Sequence, residues 1–269
     1  MNAVVFDIAL TAYIVAAAAA LASLVWRRDG LSRLARELTV AGWLCHTAAI
    51  VLRGVELKRV PVLTLAEAVS LMIWVAVLLD LWVERRYGVT TFNAFVLPVV
   101  LALGLGLPTG LRDLALEPPR ASSGWILIHV GLVLVGLAAL VLNFGSAIMY
   151  LLQERQIKAR RPRSFYYRMP SLETLDRLTL VTLTAAFPFL TVGLALGFAR
   201  AGRAWGRDLL TDPLAFFSLV MWLVYAATLS GRVIGHWRGR RAAYFSIAGF
   251  CVLLVTLGAG VLFQGRHGS

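Results

Sequence analysis

Long apolar segments recur along the whole chain, separated by short segments that hold most of the charge. Of the 269 residues, 59% are hydrophobic. A bilayer core requires about 20 mainly apolar residues per helix. Segments of this kind lie at about 3–26, 38–52, 62–83, 91–108, 124–152, 178–199, 214–234 and 243–264. The second is short, and a start near Leu31 is its alternative. The pattern predicts an all-α polytopic membrane protein with about eight transmembrane helices, in one transmembrane domain over residues 1–269.

The basic residues are concentrated in alternate connections between these segments. The chain has 26 Lys and Arg against 14 Asp and Glu, a formal net charge of +12. Seventeen of the 26 follow the first, third, fifth and seventh segments, and nine follow the others. Cytoplasmic loops of membrane proteins carry an excess of Lys and Arg. The bias therefore predicts that both termini lie outside. It also explains the basic charge through contact with the lipid bilayer, and we expect no nucleic-acid partner.

Four histidines are the residues best suited to bind a metal. Neutral imidazole is a common metal ligand and a frequent axial ligand of haem iron. His46 lies in the second segment and His236 at the inner end of the seventh, and His267 follows the eighth. Interhelical hydrogen bonding, a solvated turn and a frayed terminus are their respective alternatives. His129 is the strongest candidate, because a polar group inside an apolar helix end is costly without a partner.

Other polar residues in or beside the segments have structural explanations too. Asp212-Pro213 is typical of a helix start, with an N-cap followed by a first helical proline. Trp205 is expected at the membrane interface, where tryptophan is enriched. Glu67 is a candidate binding residue, and Asp80 is expected to snorkel or to pair with Arg85. The chain has no Walker, HExxH or GxSxG motif, and we expect no independent catalytic activity.

Four blocks of sequence occur in a fixed order between about residue 40 and the C-terminus. They contain His46-Thr47 with Arg53, Pro61 and Glu67-Ala68-Val69-Ser70; His129-Val130-Gly131; Pro170-Ser171-Leu172-Glu173-Thr174-Leu175-Asp176; and Trp237-Arg238-Gly239-Arg240-Arg241-Ala242-Ala243. In order and spacing they resemble the cytochrome c assembly family of haem-handling membrane proteins. Members of that family include CcsA (ResC), CcmC and the HemX/YpjD-like branch.

A fifth block resembles the tryptophan-rich haem loop of this family. Trp205-Gly206, Asp212-Pro213 and Trp222 match the family pattern, whereas Leu209 and Thr211 replace its two inner tryptophans. An aromatic pair contributes about 0.5–1.5 kcal/mol beyond burial, so two losses would weaken stacking on a porphyrin by roughly 1–3 kcal/mol. The altered loop favours the HemX/YpjD-like branch over a full CcsA synthase subunit.

The resemblance implies a haem-binding protein of the inner (plasma) membrane that takes part in cytochrome c assembly. It implies haem b held between helices by two histidines, with another membrane assembly subunit and apocytochrome c as partners. His129 and His267 correspond to the two outer histidines that ligate the iron. The other implied haem-site residues in the loop are Trp205 and Asp212. Nearer the inner side, His46 and His236 are expected to define a second haem position or a route by which haem crosses from the inner side.

Two other functions are compatible with the residues. A membrane regulatory or scaffold protein of the same fold that has lost haem binding is the main alternative, indicated by the altered tryptophan loop. A small-solute transporter is disfavoured, because the segments show no matching pair of Gly/Pro-broken helices.

The charge bias gives a topology test at the connection 153–177, which is predicted to be cytoplasmic. A cysteine introduced at Ser164 should stay unlabelled by a membrane-impermeant maleimide in intact cells and should react after permeabilisation. Labelling in intact cells would overturn the predicted orientation.

Overall fold

The chain is described as a bundle of helices in a computed structural model that covers residues 3–26, 28–105, 124–159, 164–205 and 212–264. The helices are α1 (Ala3–Trp26), α2 (Asp29–Leu57), α3 (Leu65–Tyr87), α4 (Asn93–Leu105), α5 (Gly124–Lys158), α6 (Leu172–Trp205), α7 (Pro213–Val233) and α8 (Arg240–Gln264). A short 3₁₀ turn, Ser164–Arg168, precedes α6.

Seven of the described helices are long and apolar enough to cross a membrane. The exception is α4, which is described over 13 residues and contains Pro98. The predicted all-α polytopic membrane architecture is therefore confirmed. The placement of both termini outside stays a prediction.

The ends of the helices differ from the ends of the apolar segments. The second segment was predicted over 38–52, yet α2 runs from Asp29 to Leu57. Hydrogen bonding continues through its polar first turns, because charged residues are good helix formers outside the bilayer core. At its other end Lys58 adopts a left-handed conformation (φ 53°) and donates backbone hydrogen bonds to Gly54 and Val55.

The helix α5 lies at the centre of the bundle and packs against α3, α4, α6 and α8. Small residues allow this close approach. A Cβ added at Gly136 would lie 2.7 Å from Cγ of Leu190 on α6. On another face, Phe144 stacks on Phe250 of α8 with ring centroids 4.1 Å apart. Packing of α5 therefore organises both the early and the late helices.

Asp80 of α3 lies inside the bundle, which corrects the expectation that it would snorkel or pair with Arg85. Asp80 is completely buried, and neither carboxylate oxygen has a hydrogen-bond partner among the described residues. Arg85 is exposed. The reason is the helical period: Asp80 shares its face with Ala76 and Val83, which are also buried.

Asp176 joins the ends of three helices on one side of the bundle, which we call the Asp176 end. Its Oδ1 accepts hydrogen bonds from Nη1 of Arg232 on α7 (2.6 Å) and from the backbone N–H of Gly239 before α8 (2.8 Å). The Arg232 side chain is only 3% exposed and also donates to the backbone carbonyl of Asp176. Gly239 has a φ of +65°, a conformation that favours glycine.

Removing the Asp176 carboxylate should destabilise the bundle, because it leaves a buried guanidinium unpaired. Loss of one partner of a buried ion pair lowers the free energy of unfolding by about 3–5 kcal/mol. Because Asp176 is partly exposed, we expect Asp176→Ala to lower it by about 3 kcal/mol. Glu173→Ala is the control, because Glu173 is exposed in the first turn of the same helix and contributes less than about 1 kcal/mol there. Unfolding in detergent compares the two variants, and equal stability would contradict this role of Asp176.

Candidate functional site

His129 lies between α5 and α6, five residues after the first residue of α5. Its Nδ1 is 2.7 Å from the backbone carbonyl oxygen of Gly193 on α6. Because a carbonyl oxygen only accepts hydrogen bonds, Nδ1 carries the hydrogen. In the neutral imidazole the lone pair then lies on Nε2, and Nε2 has no hydrogen-bond partner among the described residues.

Two glycines of α6 form the notch that holds the His129 ring. A Cβ added at Gly197 would lie 2.7 Å from Cε1 of His129, and one added at Gly193 would lie 2.8 Å from a methyl carbon of Val133. Glycines four residues apart lie on one helix face and allow close helix packing in membranes. The ring is therefore positioned by α6 backbone rather than by another side chain.

This arrangement fits a metal-ligating histidine. A ligating histidine commonly donates its other ring N–H to a backbone carbonyl, which fixes the tautomer and the ring orientation. His129 shows this arrangement, with Nδ1 bonded and Nε2 available in a half-buried side chain. Among the described residues no group of three or more His, Cys, Asp or Glu side chains could hold a free metal ion.

The turn between α2 and α3 is folded around Glu67. Thr64 caps α3 by accepting a hydrogen bond from the Glu67 N–H, and the Glu67 carboxylate accepts one from the Thr64 N–H in return. Arg59 binds the same carboxylate through two hydrogen bonds of 3.0 and 3.2 Å, and the Leu63 N–H donates a further one. The sequence Thr64-x-x-Glu67 is the capping-box pattern.

This turn packs against the start of α5 and so lies at the same end of the bundle as His129. Val62 and Leu63 form a buried cluster with Ile126, and Val130 packs against it. His129 follows Ile126 by three residues, about 4.5 Å along the helix axis. We call this side of the bundle the His129 end.

His46 is buried where α1, α2 and α3 meet. Its Nε2 is hydrogen-bonded to Ser70 Oγ (2.9 Å), and its Nδ1 lies 3.4 Å from the Tyr13 hydroxyl. Phe6 contacts the imidazole edge-on. Both ring nitrogens therefore have partners, as expected for a histidine that joins helices by hydrogen bonds.

The structure does not bring His46 and His236 together. Because α2 begins at Asp29, His46 lies about 26 Å along the helix from its start, rather than the roughly 12 Å expected for a start near Leu38. His236 lies in the exposed turn between α7 and α8, with a φ of +50°.

The remaining predicted site residues are Asp212 at the start of α7, Trp205 at the end of α6, and His267. Asp212 caps α7, since its Oδ1 accepts a hydrogen bond from the Ala215 N–H (2.8 Å) and Pro213 is the first helical residue. This geometry agrees with the structural explanation of the Asp-Pro pair. Trp205 is the last residue of α6. The Trp205 side chain, and His267 as a whole, lie outside the described residues.

Trp222 of the resembling loop block anchors α7 on α6. Its indole N–H donates to Thr191 Oγ1 (2.9 Å), and its ring stacks on Phe187 with centroids 5.6 Å apart. Thr191 and Phe187 are separated by one helical turn, so Trp222 covers a continuous patch of α6.

Sequence reasoning did not identify the two glycines beside His129 or the partners of Glu67. The Gly193-x-x-x-Gly197 spacing, typical of close packing between membrane helices, could have indicated that a neighbour fits closely there. The pairing of Arg59 with Glu67 depends on how the turn folds, and only the capping box within it could be recognised from the sequence.

Comparisons with known proteins identify the family of the chain. The family model described as "Cytochrome C assembly protein" matches residues 62–267. Three proteins named "Cytochrome c biogenesis protein CcsA" are similar over most of the chain. The protein of Guillardia theta is 30% identical (83% of this chain, 81% of the relative), that of Prochlorococcus marinus (strain NATL1A) 31% (88% and 84%), and that of Synechococcus sp. (strain RCC307) 29% (89% and 86%).

Filling the notch should disturb the α5–α6 contact. Gly197→Ala places a methyl group against the His129 ring and should lower the free energy of unfolding by about 1–3 kcal/mol, the usual cost of overpacking. Gly131→Ala on α5 is the control, because a Cβ there has no neighbour within 4 Å. It should be neutral or stabilise by about 0.5–1 kcal/mol. Unfolding in detergent measures both, and a Gly197→Ala protein as stable as Gly131→Ala would contradict the described contact.

Proposed function

Because the chain belongs to the cytochrome c assembly family, we propose that it handles haem in cytochrome c biogenesis and binds haem b through His129. The relatives named as cytochrome c biogenesis proteins match most of the chain and most of their own length. A haem-handling role in this process follows from that similarity, and a regulatory or scaffold protein without haem is not favoured.

The geometry of His129 is the single observation that carries the proposed site. Its Nδ1–H is held by the Gly193 carbonyl, and its ring lies against Gly197. Nε2 is thereby presented as the ligating atom. Bound haem supplies the iron centre and a broad apolar ring with carboxylate side chains. The chain supplies a ligand of fixed tautomer at the interface between α5 and α6.

The second ligand and the loop residues remain proposals from the family resemblance. His267 is proposed as the other iron ligand, and Trp205 and Asp212 as residues beside the ring. Asp212 also caps α7, so its position relative to the ring would be fixed by the start of that helix. The substitutions at Leu209 and Thr211 are expected to weaken binding through lost aromatic stacking.

A second haem position formed by His46 and His236 stays a prediction. Ligation by His46 would require its ring to give up the hydrogen bond to Ser70 or to Tyr13. On the predicted orientation, the start of α2 and His236 both lie at the inner side. Because His46 is about 26 Å from the start of α2, direct sharing of one iron with His236 is disfavoured. As described, His46 fastens α1, α2 and α3 to one another.

The wider setting follows from the fold and the family. The chain is a multi-pass membrane protein, and we propose the inner (plasma) membrane as its location. Its proposed partners in cytochrome c maturation are another membrane assembly subunit and apocytochrome c. We also propose that residues 1–269 form one transmembrane domain, since one buried cluster includes residues of α1 and of α3 to α8. The relatives carry the CcsA name, and the HemX/YpjD-like branch stays a prediction.

Ligation by His129 can be tested by removing the imidazole and supplying it in solution. His129→Gly should weaken haemin binding by at least about tenfold, since even indirect changes around a metal ligand cost 10–100-fold. Added imidazole should restore binding and the low-spin visible spectrum. A role in packing alone would not be rescued in this way. Unchanged haemin affinity in a folded His129→Gly protein would show that His129 is not a ligand.

A further inference from the structure

Arg53 of α2 forms ion pairs with two carboxylates but is hydrogen-bonded to neither of them. Nε of Arg53 is 3.6 Å from Glu67 Oε1, and its Nη1 is 3.8 Å from Glu56 Oε2. Both separations exceed hydrogen-bond length. A guanidinium has five N–H donors, and none of those of Arg53 is hydrogen-bonded to these two carboxylates. The Arg53 side chain is one-third exposed.

The Glu67 carboxylate is already occupied by other donors. Arg59 binds both oxygens, and the N–H groups of Leu63 and Thr64 donate to Oε2. Glu67 therefore has little capacity left for a hydrogen bond to Arg53, and the other ion-pair partner of Arg53, Glu56, lies 3.8 Å away. Arg59 thus holds the turn together, whereas Arg53 remains able to bind a further anion.

The position of these cations does not follow from membrane anchoring. On the predicted orientation this turn is external, where Lys and Arg are depleted. Arg53, Lys58 and Arg59 nevertheless lie within seven residues of one another. On that orientation the positive-inside rule does not explain these cations, and a negatively charged ligand is an alternative explanation for them.

Arg53 and His129 lie at the same end of the bundle and at similar depth. Arg53 is four residues before the end of α2 and His129 is five after the start of α5, about 6 and 8 Å from the respective helix ends. The two helices are linked through the turn, because Leu63 both donates to Glu67 and packs with Ile126.

We infer that Arg53 binds the propionate carboxylates of the haem whose iron is ligated by His129, an assignment that rests on the proposed function. Arginine pairs with carboxylates through two parallel charge-assisted hydrogen bonds. Its alkyl part can lie along apolar surface while the guanidinium stays near water. Haem has the matching shape, an apolar ring with carboxylates at one edge. The pairing fixes the rotation of the ring about the iron–His129 axis.

Haemin and its dimethyl ester separate this role from iron ligation, because the ester keeps the ring and the iron but lacks the carboxylates. Wild type should bind haemin about tenfold or more tightly than the ester, the usual range for a hydrogen bond to a charged group. Arg53→Gln should lose that preference and keep its affinity for the ester. Arg238→Gln, the same change at an exposed site on the Asp176 end, should behave as wild type.

Other binding results would assign Arg53 a different role. Arg59→Gln should loosen the turn and weaken both porphyrins alike, and the same behaviour in Arg53→Gln would make Arg53 structural and overturn the inference. Equal binding of the two porphyrins by wild type would overturn it while leaving the proposed function intact. Retention of phosphatidylglycerol that depends on Arg53, without any preference for haemin, would reassign Arg53 to a lipid phosphate. Failure of wild type to bind either porphyrin would instead contradict the proposed function.

Discussion

The close contact between α5 and α6 is the interaction on which the rest of the structure depends. Glycines on both helices let the backbones approach, at Gly136 on α5 and at Gly193 and Gly197 on α6. Without a hydrophobic driving force between helices inside a bilayer, such van der Waals packing decides which helices associate. The same contact exposes the Gly193 carbonyl to the His129 ring. The same helix contact therefore holds the bundle together and positions the candidate ligand His129. The opposite end of α6 carries Asp176.

Arginine–carboxylate pairs fasten the bundle at both ends, and they differ in an informative way. At the Asp176 end, one carboxylate meets one buried guanidinium and the backbone of the α7–α8 turn. At the His129 end, Glu67 meets two arginines, of which only Arg59 is hydrogen-bonded to it. The first arrangement is complete within the chain. The second leaves Arg53 with spare donors beside the proposed haem position, which is why it points to a ligand.

The sequence predicted the features set by the bilayer and missed those set by tertiary contacts. Apolar length predicted the helices. For α2 the segment 38–52 began too late, because hydropathy marks the bilayer core rather than the end of helical hydrogen bonding, whereas the alternative start near Leu31 lies within two residues of Asp29. The polarity of an apolar helix end singled out His129, whereas its carbonyl partner depends on how α6 packs. Asp80 was wrongly expected to snorkel, since its charge was considered without the buried face that it shares with Ala76 and Val83.

The haem content of the purified protein shows whether this fold presents a histidine to haem. The protein would be purified in mild detergent from cells supplied with haem, and a pyridine haemochrome spectrum recorded. We expect extractable haem b that co-elutes with the folded protein. A folded, monodisperse protein that contains no haem and takes up none from added haemin would contradict it. The fold would then have to serve a regulatory or scaffold role instead.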